Sequence, residues 1–289
     1  MCIRDRFPTV AFPNPEEPGA MDLAFAKARE TDPDLVIAND PDADRCAVAV
    51  KENDEWRMLR GDEVGALLAA HLVNRGARGT FAESIVSSSL LGRIAEKAGL
   101  PYEETLTGFK WIARVDGLRY GYEEALGYCV DPEGVRDKDG ITAALLITEL
   151  ASTLKEEGRT LLDLLDDLAV EHGLHATDQL SVRVEDLSVI ADAMRRLREQ
   201  PPTELAGLAI TRAEDLTRGT ETLPPTDGLR YALEGARVIV RPSGTEPKLK
   251  CYLEVVVPVA THADLPAARA EAAGLLTTIK RDLSTAAGI

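Results

Sequence analysis

The sequence is poor in the residues that mark several classes of protein. Its four cysteines, at positions 2, 46, 129 and 251, are too few and too dispersed for a disulfide framework. Long apolar runs are missing too, because Glu149 and His71 interrupt the two best candidates short of the roughly 18 residues that span a membrane. The first six residues lack the apolar core of a secretion signal. These absences predict a cytoplasmic protein with no membrane partner.

Basic residues are scarce beside acidic ones. The chain has 33 Lys and Arg against 49 Asp and Glu, which gives a net charge of −16. Such a charge repels the phosphate backbone of nucleic acids at long range, so we expect no nucleic-acid partner. A hydrophobic fraction of 45% with 28% charged residues is typical of a folded globular protein, and 289 residues suffice for about two domains.

Apolar patterning divides the chain into an α/β part and an α+β part. Up to about residue 172 short apolar runs alternate with amphipathic helical patterns, which is typical of α/β units with parallel strands. A polar turn near residue 55 separates the segments 7–55 and 56–172. From 173 to 289 the order is strand, helix, several strands and a last helix, which predicts a smaller α+β domain.

Short polar segments predict where individual elements begin. Residues 9–12 are predicted to be a strand. Asp62, the run Ser87–Ser89 and Asp139 each precede an apolar helical pattern, so each is predicted to cap a helix. The cysteines at positions 46, 129 and 251 and the four histidines have no metal-ligand spacing, which predicts structural roles for them.

An acidic loop follows an apolar run over 35–38. It carries three carboxylates at alternate positions, Asp40, Asp42 and Asp44. Ligand sites of α/β proteins lie at the carboxyl ends of strands, and three hard oxygen donors suit Mg²⁺ or Ca²⁺. An EF-hand is excluded, because Arg45 and Lys51 replace the Gly and Glu that such a loop needs. A solvated acidic turn remains the alternative, and Arg45 is placed either to neutralise the loop or to reach a phosphoryl group.

A second loop, over 241–248, is rich in groups that bind anions. Arg241 and Lys248 supply positive charge, Ser243 and Thr245 supply hydroxyls, and Gly244 lets backbone N–H groups approach an oxyanion. This pattern indicates a phosphate-binding loop. A plain hairpin connection is the alternative, since Pro, Ser and Gly are natural there as well.

Two further polar loops lie in the middle segment. Glu123 and Glu124 stand between Gly121 and Gly127, where they could accept hydrogen bonds from sugar hydroxyls or simply face solvent. Single lysines occur in Thr107-Gly108-Phe109-Lys110 and in Asp137-Lys138-Asp139-Gly140. Each of these lysines is a candidate proton-transfer group or a surface residue.

Taken in order, the segments 40–45, 107–110, 121–127 and 241–248 together resemble the α-D-phosphohexomutase family. The Glu-Glu-Ala loop with Asp-Lys-Asp-Gly is more similar to the phosphoglucomutase and phosphopentomutase branch than to the phosphoglucosamine branch. The resemblance implies four domains, of which the first three are related α/β units and the fourth is a smaller α+β domain. By this resemblance 7–55 is the end of domain 2, 56–172 is domain 3 and 173–289 is domain 4.

The resemblance also implies roles for individual residues. Asp40, Asp42 and Asp44 would hold Mg²⁺, and Arg45, Lys110 and Lys138 would act at the reacting phosphoryl group and the sugar phosphate. Glu123 would contact sugar hydroxyls. The remaining implied substrate-binding residues are Thr107, Gly108 and Glu124 and, around the phosphate that does not react, Arg241, Ser243, Gly244, Thr245 and Lys248.

The implied reaction moves a phosphoryl group within a hexose or pentose phosphate. A phosphoserine gives its phosphoryl group to the sugar, the bisphosphate turns round, and the enzyme takes the other phosphoryl group back. Two departures stand out: Ala125 replaces a serine of many relatives, and the Ser-His-Asn-Pro loop of the family's first domain is not found. Residues 1–6 do not resemble the family. We therefore expect a non-native leader joined to a fragment that is inactive alone.

Several functions remain open on these residues. The leading hypothesis is a phosphoglucomutase-type mutase, and phosphomannomutase or phosphopentomutase are the variants of it. A non-catalytic sugar-phosphate binding protein and a metal-dependent phosphatase acting through Asp40 are alternatives of other classes.

Overall fold

A computed structural model describes residues 9–10, 13–244 and 246–289. The chain divides into two units, Met1–Leu165 and Asp166–Ile289, and each is described by itself. The predicted leader over 1–6 and the second half of the predicted strand 9–12 lie outside the described residues. Within the described ranges, no helix is long and apolar enough to cross a membrane.

The first unit begins with a helix and a small antiparallel sheet. Its elements are α1 (Asp22–Thr31), β1 (Val36–Asn39), β2 (Cys46–Glu52) and β3 (Glu55–Met58), and the strand order is β1-β2-β3. The central strand β2 is buried over 46–50, because it has a neighbour on both sides. Asn53 and Asp54 adopt positive φ angles of 50° and 66°, which closes the tight turn between β2 and β3.

The rest of the first unit is built on a mainly parallel sheet. Its elements are α2 (Gly61–Asn74), β4 (Thr80–Ser84), α3 (Leu90–Lys97), β5 (Tyr102–Thr105), α4 (Phe109–Ile112), β6 (Leu118–Glu123), β7 (Gly127–Cys129) and α5 (Gly140–Glu156); α6 (Leu161–His172) leads into the second unit. The order is β5-β4-β6-β7, where β4 runs parallel to β5 and β6 and the short β7 runs antiparallel to β6. The predicted α/β architecture is confirmed.

A row of buried tyrosines joins this sheet to α2. Tyr120, Tyr122 and Tyr128 stack with ring centroids 6.3 Å apart, and burial raises the pKa of each phenol well above its ordinary value. Their hydroxyls remain satisfied, because Tyr120 donates to the carbonyl of Gly65 and Tyr128 donates to that of Gly61. The tyrosines therefore fix the start of α2 against the sheet.

Helix capping follows the sequence prediction only in part. Asp139 caps α5 as predicted, since its carboxylate accepts the N–H of Ile141 at 3.0 Å. The prediction for Asp62 was wrong: α2 begins at Gly61, two residues before the start that an Asp62 cap implies, and the Glu63 carboxylate accepts the N–H of Arg60 at 2.7 Å. Asp62 instead accepts the N–H of Ser88 and the hydroxyl of Tyr122, at 2.7 and 3.0 Å. This is a tertiary contact that local spacing does not show.

The second unit is a six-stranded antiparallel sheet with two long helices. Its elements are β8 (Leu174–Arg183), α7 (Leu187–Glu199), β9 (Glu204–Leu205), β10 (Leu208–Asp215), β11 (Leu229–Leu233), β12 (Ala236–Pro242), β13 (Lys248–Val257) and α8 (Leu265–Ala287). The strand order is β8-β13-β12-β11-β10-β9, and the buried faces of α7 and α8 share one apolar core with the sheet. This confirms the predicted change to an α+β pattern.

The three cysteines with predicted structural roles are free, buried thiols: Cys46, Cys129 and Cys251. Burial raises the pKa of each thiol to about 12. Among the histidines, His71 is buried beside Glu149, and the side chain of His175 is buried beside Glu254. These contacts agree with the predicted structural role.

Candidate metal and sugar-phosphate site

Three carboxylates meet in the loop between β1 and β2. One oxygen from each of Asp40, Asp42 and Asp44 lies within 4.8 Å of the others. Ala43 adopts a left-handed φ of 57° and donates its N–H to the Asp40 carbonyl at 2.9 Å, which curls the loop. A set of carboxylate oxygens is the donor chemistry of Mg²⁺ or Ca²⁺, so the residues present fit a hard divalent cation.

Two cationic side chains accompany the acidic loop. Arg45 Nε lies 3.7 Å from Asp40 Oδ2 and 3.8 Å from Asp44 Oδ1, and Lys138 Nζ lies 2.5 Å from Asp44 Oδ2. Burial raises the pKa of Asp40, and the charges of Asp44 and Asp42 raise it further, although the hydrogen bond from the Arg45 N–H opposes them. Three carboxylates against two cations leave an excess negative charge that a divalent cation would neutralise.

The acidic loop is held against the first turn of α5. Asn39 Nδ2 donates to the Arg45 carbonyl at 2.7 Å, and the N–H of Gly140 donates to the Ala43 carbonyl at 3.0 Å. A Cβ on Gly140 would lie 2.2 Å from the Arg45 oxygen and 2.5 Å from Asn39 Nδ2. Only glycine allows the helix to approach this closely, and the approach brings Lys138 to the carboxylates.

The loop between β6 and β7, residues 123–127, is called here the sugar loop. It lies beside the acidic loop, because Arg45 forms an isolated antiparallel bridge with Gly127 and the N–H of Cys46 donates to the Leu126 carbonyl at 3.0 Å. A Cβ on Gly127 would lie 2.4 Å from the Cδ atom of Lys138. The acidic loop, the sugar loop and Lys138 therefore form one cluster.

The two glutamates of the sugar loop have different partners. Glu123 Oε1 accepts the N–H of Gly108 at 2.6 Å, so it ties the sugar loop to the Thr107–Gly108 turn, where Gly108 has a φ of 107°. The N–H of Glu124 donates to Ser87 Oγ at 3.1 Å. Lys110 is exposed on α4, and its ammonium lies 5.7 Å from the Trp111 ring centre. The described contacts of Lys110 thus place it on the indole and not on the acidic loop.

The predicted phosphate loop belongs to the second unit and joins β12 to β13. Arg241 is half-buried and pairs across the strands with Lys250, and the N–H of Ser243 donates to the Lys248 carbonyl at 2.8 Å. Lys248 Nζ lies 2.9 Å from the Glu246 carboxylate, whose pKa is lowered mainly by that hydrogen bond. A Cβ on Gly244 would have no heavy atom of the described residues beyond its chain neighbours within 4 Å. Thr245, which was predicted to bind phosphate, lies outside the described residues.

Sequence reasoning missed several residues that hold these loops. Asn39 and Gly140 fix the acidic loop, while Ser84 and Ser87 contact the sugar loop. The sequence signal for the serine contacts was weak, because three consecutive serines after a strand are as typical of a helix cap as of a contact with another loop. Their partner, Glu124, lies 37 residues from Ser87 in the sequence.

Three domain models of one family match the chain. The phosphoglucomutase/phosphomannomutase alpha/beta/alpha domain II model matches residues 1–53, the corresponding domain III model matches 60–171, and the C-terminal domain model matches 180–272. The chain belongs to the α-D-phosphohexomutase family, as the resemblance of its motifs predicted.

Individual relatives carry the names of several mutases. A protein named "Probable phosphomannomutase" from Haemophilus influenzae is 50% identical over 252 residues, which cover 86% of this chain and 51% of that protein. The human protein named phosphopentomutase is 38% identical over 289 residues, which cover 87% of this chain and 47% of that protein. A phosphoglucomutase from Staphylococcus haemolyticus is 35% identical over 276 residues, which cover 87% of this chain and 50% of that protein. The chain spans about half the length of these relatives.

A solved structure shows the same fold at low identity. The crystal structure of parafusin, a phosphoglucomutase from Paramecium in its open form, matches with a TM-score of 0.68 and 20% identity. The match covers 96% of this chain and 51% of that one. This likeness concerns the fold alone.

Proposed function

We propose that the chain carries the metal-binding, sugar-binding and phosphate-binding parts of a phosphoglucomutase-type phosphosugar mutase. The observation that carries the proposal is the cluster in which the carboxylates of Asp40, Asp42 and Asp44 lie within 4.8 Å of one another beside Arg45 and Lys138. Within this proposal residues 7–55 end domain 2, 56–172 form domain 3 and 173–289 form domain 4.

The acidic loop is proposed to hold Mg²⁺ through its three aspartates. When bound, Mg²⁺ would supply positive charge to a transferring phosphoryl group, for which catalysis is mainly positioning and electrostatics. The Arg45 guanidinium is placed beside two of the same carboxylates, where it can bind an oxygen of that group. Lys138 holds a proton on Nζ at the edge of the cluster and can deliver it to the sugar oxygen that loses the phosphoryl group.

Substrate contacts are proposed from the other loops. Glu123 and Glu124 offer carboxylates to sugar hydroxyls, with Thr107 and Gly108 beside them, and Lys110 would approach from the same turn. In the second unit, Arg241, Ser243, Gly244, Thr245 and Lys248 would bind the phosphate that is not reacting. The substrate is proposed to be a hexose phosphate of the glucose type; mannose and pentose phosphates are the variants that the names of the relatives support.

Isothermal titration calorimetry tests the binding functions directly. With Mg²⁺ present, we expect the chain to bind glucose 1-phosphate and glucose 1,6-bisphosphate more tightly than unphosphorylated glucose. Mannose 1-phosphate and ribose 1-phosphate titrated in parallel rank the substrate class. Equal or absent binding of all these ligands would reject a sugar-phosphate site.

A coupled dehydrogenase assay separates the possible chemistries. We expect the 289-residue chain alone not to convert glucose 1-phosphate to glucose 6-phosphate, because none of its serines lies in a Ser-His-Asn-Pro loop. Turnover at an ordinary enzymatic rate, about 1 to 10³ s⁻¹, would place a phosphoryl-carrying nucleophile within this chain. Release of inorganic phosphate without isomerisation would support a metal-dependent phosphatase instead.

A further inference from the structure

Cationic side chains are crowded on one face of the sheet in the second unit, beside the predicted phosphate loop over 241–248. In the antiparallel register Lys248 lies opposite Arg183 of the edge strand β8, and Lys250 lies opposite Arg241 of β12. Residues directly opposite one another share a face of the sheet, and so do residues two positions apart on a strand. The four cations therefore share one face, as two neighbouring like-charge pairs.

Like charges placed directly opposite one another destabilise a sheet unless an anion joins them. Glu246 is that anion for the first pair, because its Oε2 atom lies 2.5 Å from Arg183 Nη2 and 2.9 Å from Lys248 Nζ. Among the described residues, no carboxylate forms an ion pair with Arg241 or Lys250. The chain thus neutralises one pair itself, and the positive charge of the second pair is the stronger attraction for a phosphate.

Glu246 lies inside the loop that is proposed to bind this phosphate. Its N–H donates to Ser243 Oγ at 3.3 Å, and the N–H of Lys248 donates to its carbonyl at 2.8 Å. Its carboxylate is charged at neutral pH, since the hydrogen bond from Lys248 holds its pKa below the ordinary value. The side chain is 40% exposed, so it has room to move. If it moved from the edge strand towards the second pair of cations, it would repel a phosphate and occupy the same cations.

Arg183 is placed to prevent that movement. It lies on β8, outside the loop, and the pairing of β8 with β13 extends as far as Arg183 itself. The N–H of Val184 donates to the Pro247 carbonyl at 3.0 Å, which holds the strand and the loop together at this point. A guanidinium binds a carboxylate with more directional hydrogen bonds than an ammonium does. Arg183 can therefore keep Glu246 when Lys248 turns to a phosphate.

We propose that Arg183 is a positioning residue of the phosphate loop, which keeps the Glu246 carboxylate at the edge strand and leaves Lys248 for the phosphate that does not react. This proposal rests on the phosphate-binding role proposed above for that loop. Arg183 acts through Glu246 and not by contact with the ligand. Loss of Arg183 should therefore weaken phosphate binding only while residue 246 carries a negative charge.

The test is a double-mutant cycle on the 289-residue chain, with glucose 1-phosphate titrated by calorimetry into each protein. We expect Arg183→Gln to bind about threefold more weakly, the effect of an exposed ion pair, because Glu246 then competes with the ligand. Glu246→Gln should bind about threefold more tightly. The double variant should bind within about twofold of Glu246→Gln, so the two substitutions are strongly non-additive.

Arg195→Gln is the matched control. The Arg195 side chain is 64% exposed, against 63% for Arg183, and it pairs with Asp192 on α7. The substitution removes the same charge from the same unit. Glucose 1-phosphate affinity should therefore stay close to that of the parent.

The outcomes separate the positioning role from the proposed function. If the parent chain does not bind glucose 1-phosphate, the proposed function fails and the positioning role fails with it. If the parent binds and Arg183→Gln binds equally well, only the positioning role is overturned. A loss on replacing Arg183 that is equally large in the Glu246→Gln background would mean that Arg183 attracts the phosphate directly, which also overturns the role. A loss that Glu246→Gln abolishes supports it, and a merely structural arginine would not give that pattern.

Discussion

Replacing Asp42 by Asn should have opposite effects on metal binding and on metal-free stability. Asp42 is the most exposed of the three aspartates, so its removal leaves the loop backbone intact. It supplies one carboxylate to the proposed cation site and one negative charge to a crowded cluster. We therefore expect Asp42→Asn to bind Mg²⁺ about tenfold more weakly or worse, while the metal-free chain becomes more stable.

The size of the stabilisation follows from the separation of the charges. Two unit charges 4.8 Å apart repel by about 0.9 kcal/mol in water-like surroundings and by about 3.5 kcal/mol at an effective dielectric constant of about 20. Asp42 has two such repulsions, with Asp40 and with Asp44, and its exposure favours the lower figure for each, which gives about 1.8 kcal/mol in all. Arg45 and Lys138 offset part of this repulsion. A net gain of about 1 kcal/mol remains, which corresponds to about 2 to 4 °C in the melting temperature of a unit of this size.

The pH dependence of stability is a second test of whether Asp42→Asn stabilises the metal-free chain. Burial and the charges of Asp44 and Asp42 raise the pKa of Asp40 above its ordinary value of 3.8 in the folded chain. A raised carboxyl pKa means that folding stability is lost as the pH rises through the folded-state value. The variant should therefore be more stable than the parent at pH 7, and the difference should shrink as the pH falls through the raised pKa of Asp40, where that carboxyl becomes neutral.

Calorimetric titration and thermal melting in EDTA measure the two effects. The control is Asp54→Asn, which makes the same chemical change at a side chain that is 98% exposed and pairs only loosely with Lys51. It should leave Mg²⁺ affinity and the melting temperature almost unchanged. A variant at Asp42 that binds Mg²⁺ as tightly as the parent, or that melts lower without metal, would show that the acidic loop is an ordinary turn.

Three further outcomes are expected. Arg241→Lys should weaken glucose 1-phosphate binding by about 1 to 3 kcal/mol, because a bidentate charged contact is lost, and should leave Mg²⁺ affinity unchanged; equal binding in calorimetry would remove the phosphate-loop assignment. Gly140→Ala should destabilise the chain by about 3 kcal/mol or more in urea unfolding, through the backbone clash with the acidic loop. Gly274→Ala, in an open position of α8, should instead stabilise by up to about 1 kcal/mol, and a similar loss in both variants would contradict the packing argument. Burial raises the pKa of three thiols to about 12, those of Cys46, Cys129 and Cys251, so a thiol reagent at pH 8 should modify at most one of the four cysteines before the chain unfolds. Fast labelling of more than one cysteine would show that at least one of the two units is open.

Local sequence patterns determined the element types and the order of the loops. The apolar run ending at Ala38 predicted a strand with an acidic loop after it, and the structure has β1 and the three aspartates there, although β1 is only partly buried. The order of four motifs was specific enough to identify the family. Local spacing works in these cases because it decides which face of an element is apolar and which residues follow a strand end.

The partners of each functional side chain were decided only by the tertiary structure. Lys138 reaches Asp44 across 94 residues, because glycines at positions 127 and 140 let α5 and the sugar loop press against the acidic loop. Asp62 does not cap a helix as predicted but accepts the N–H of Ser88, 26 residues away in the sequence. A hydrogen bond depends on distances of a few tenths of an ångström between segments far apart in sequence, and periodicity carries no information about those distances. The sequence therefore determined which chemical groups the candidate site would contain, while the packing of helices on sheets determined which of these groups form hydrogen bonds and ion pairs with one another.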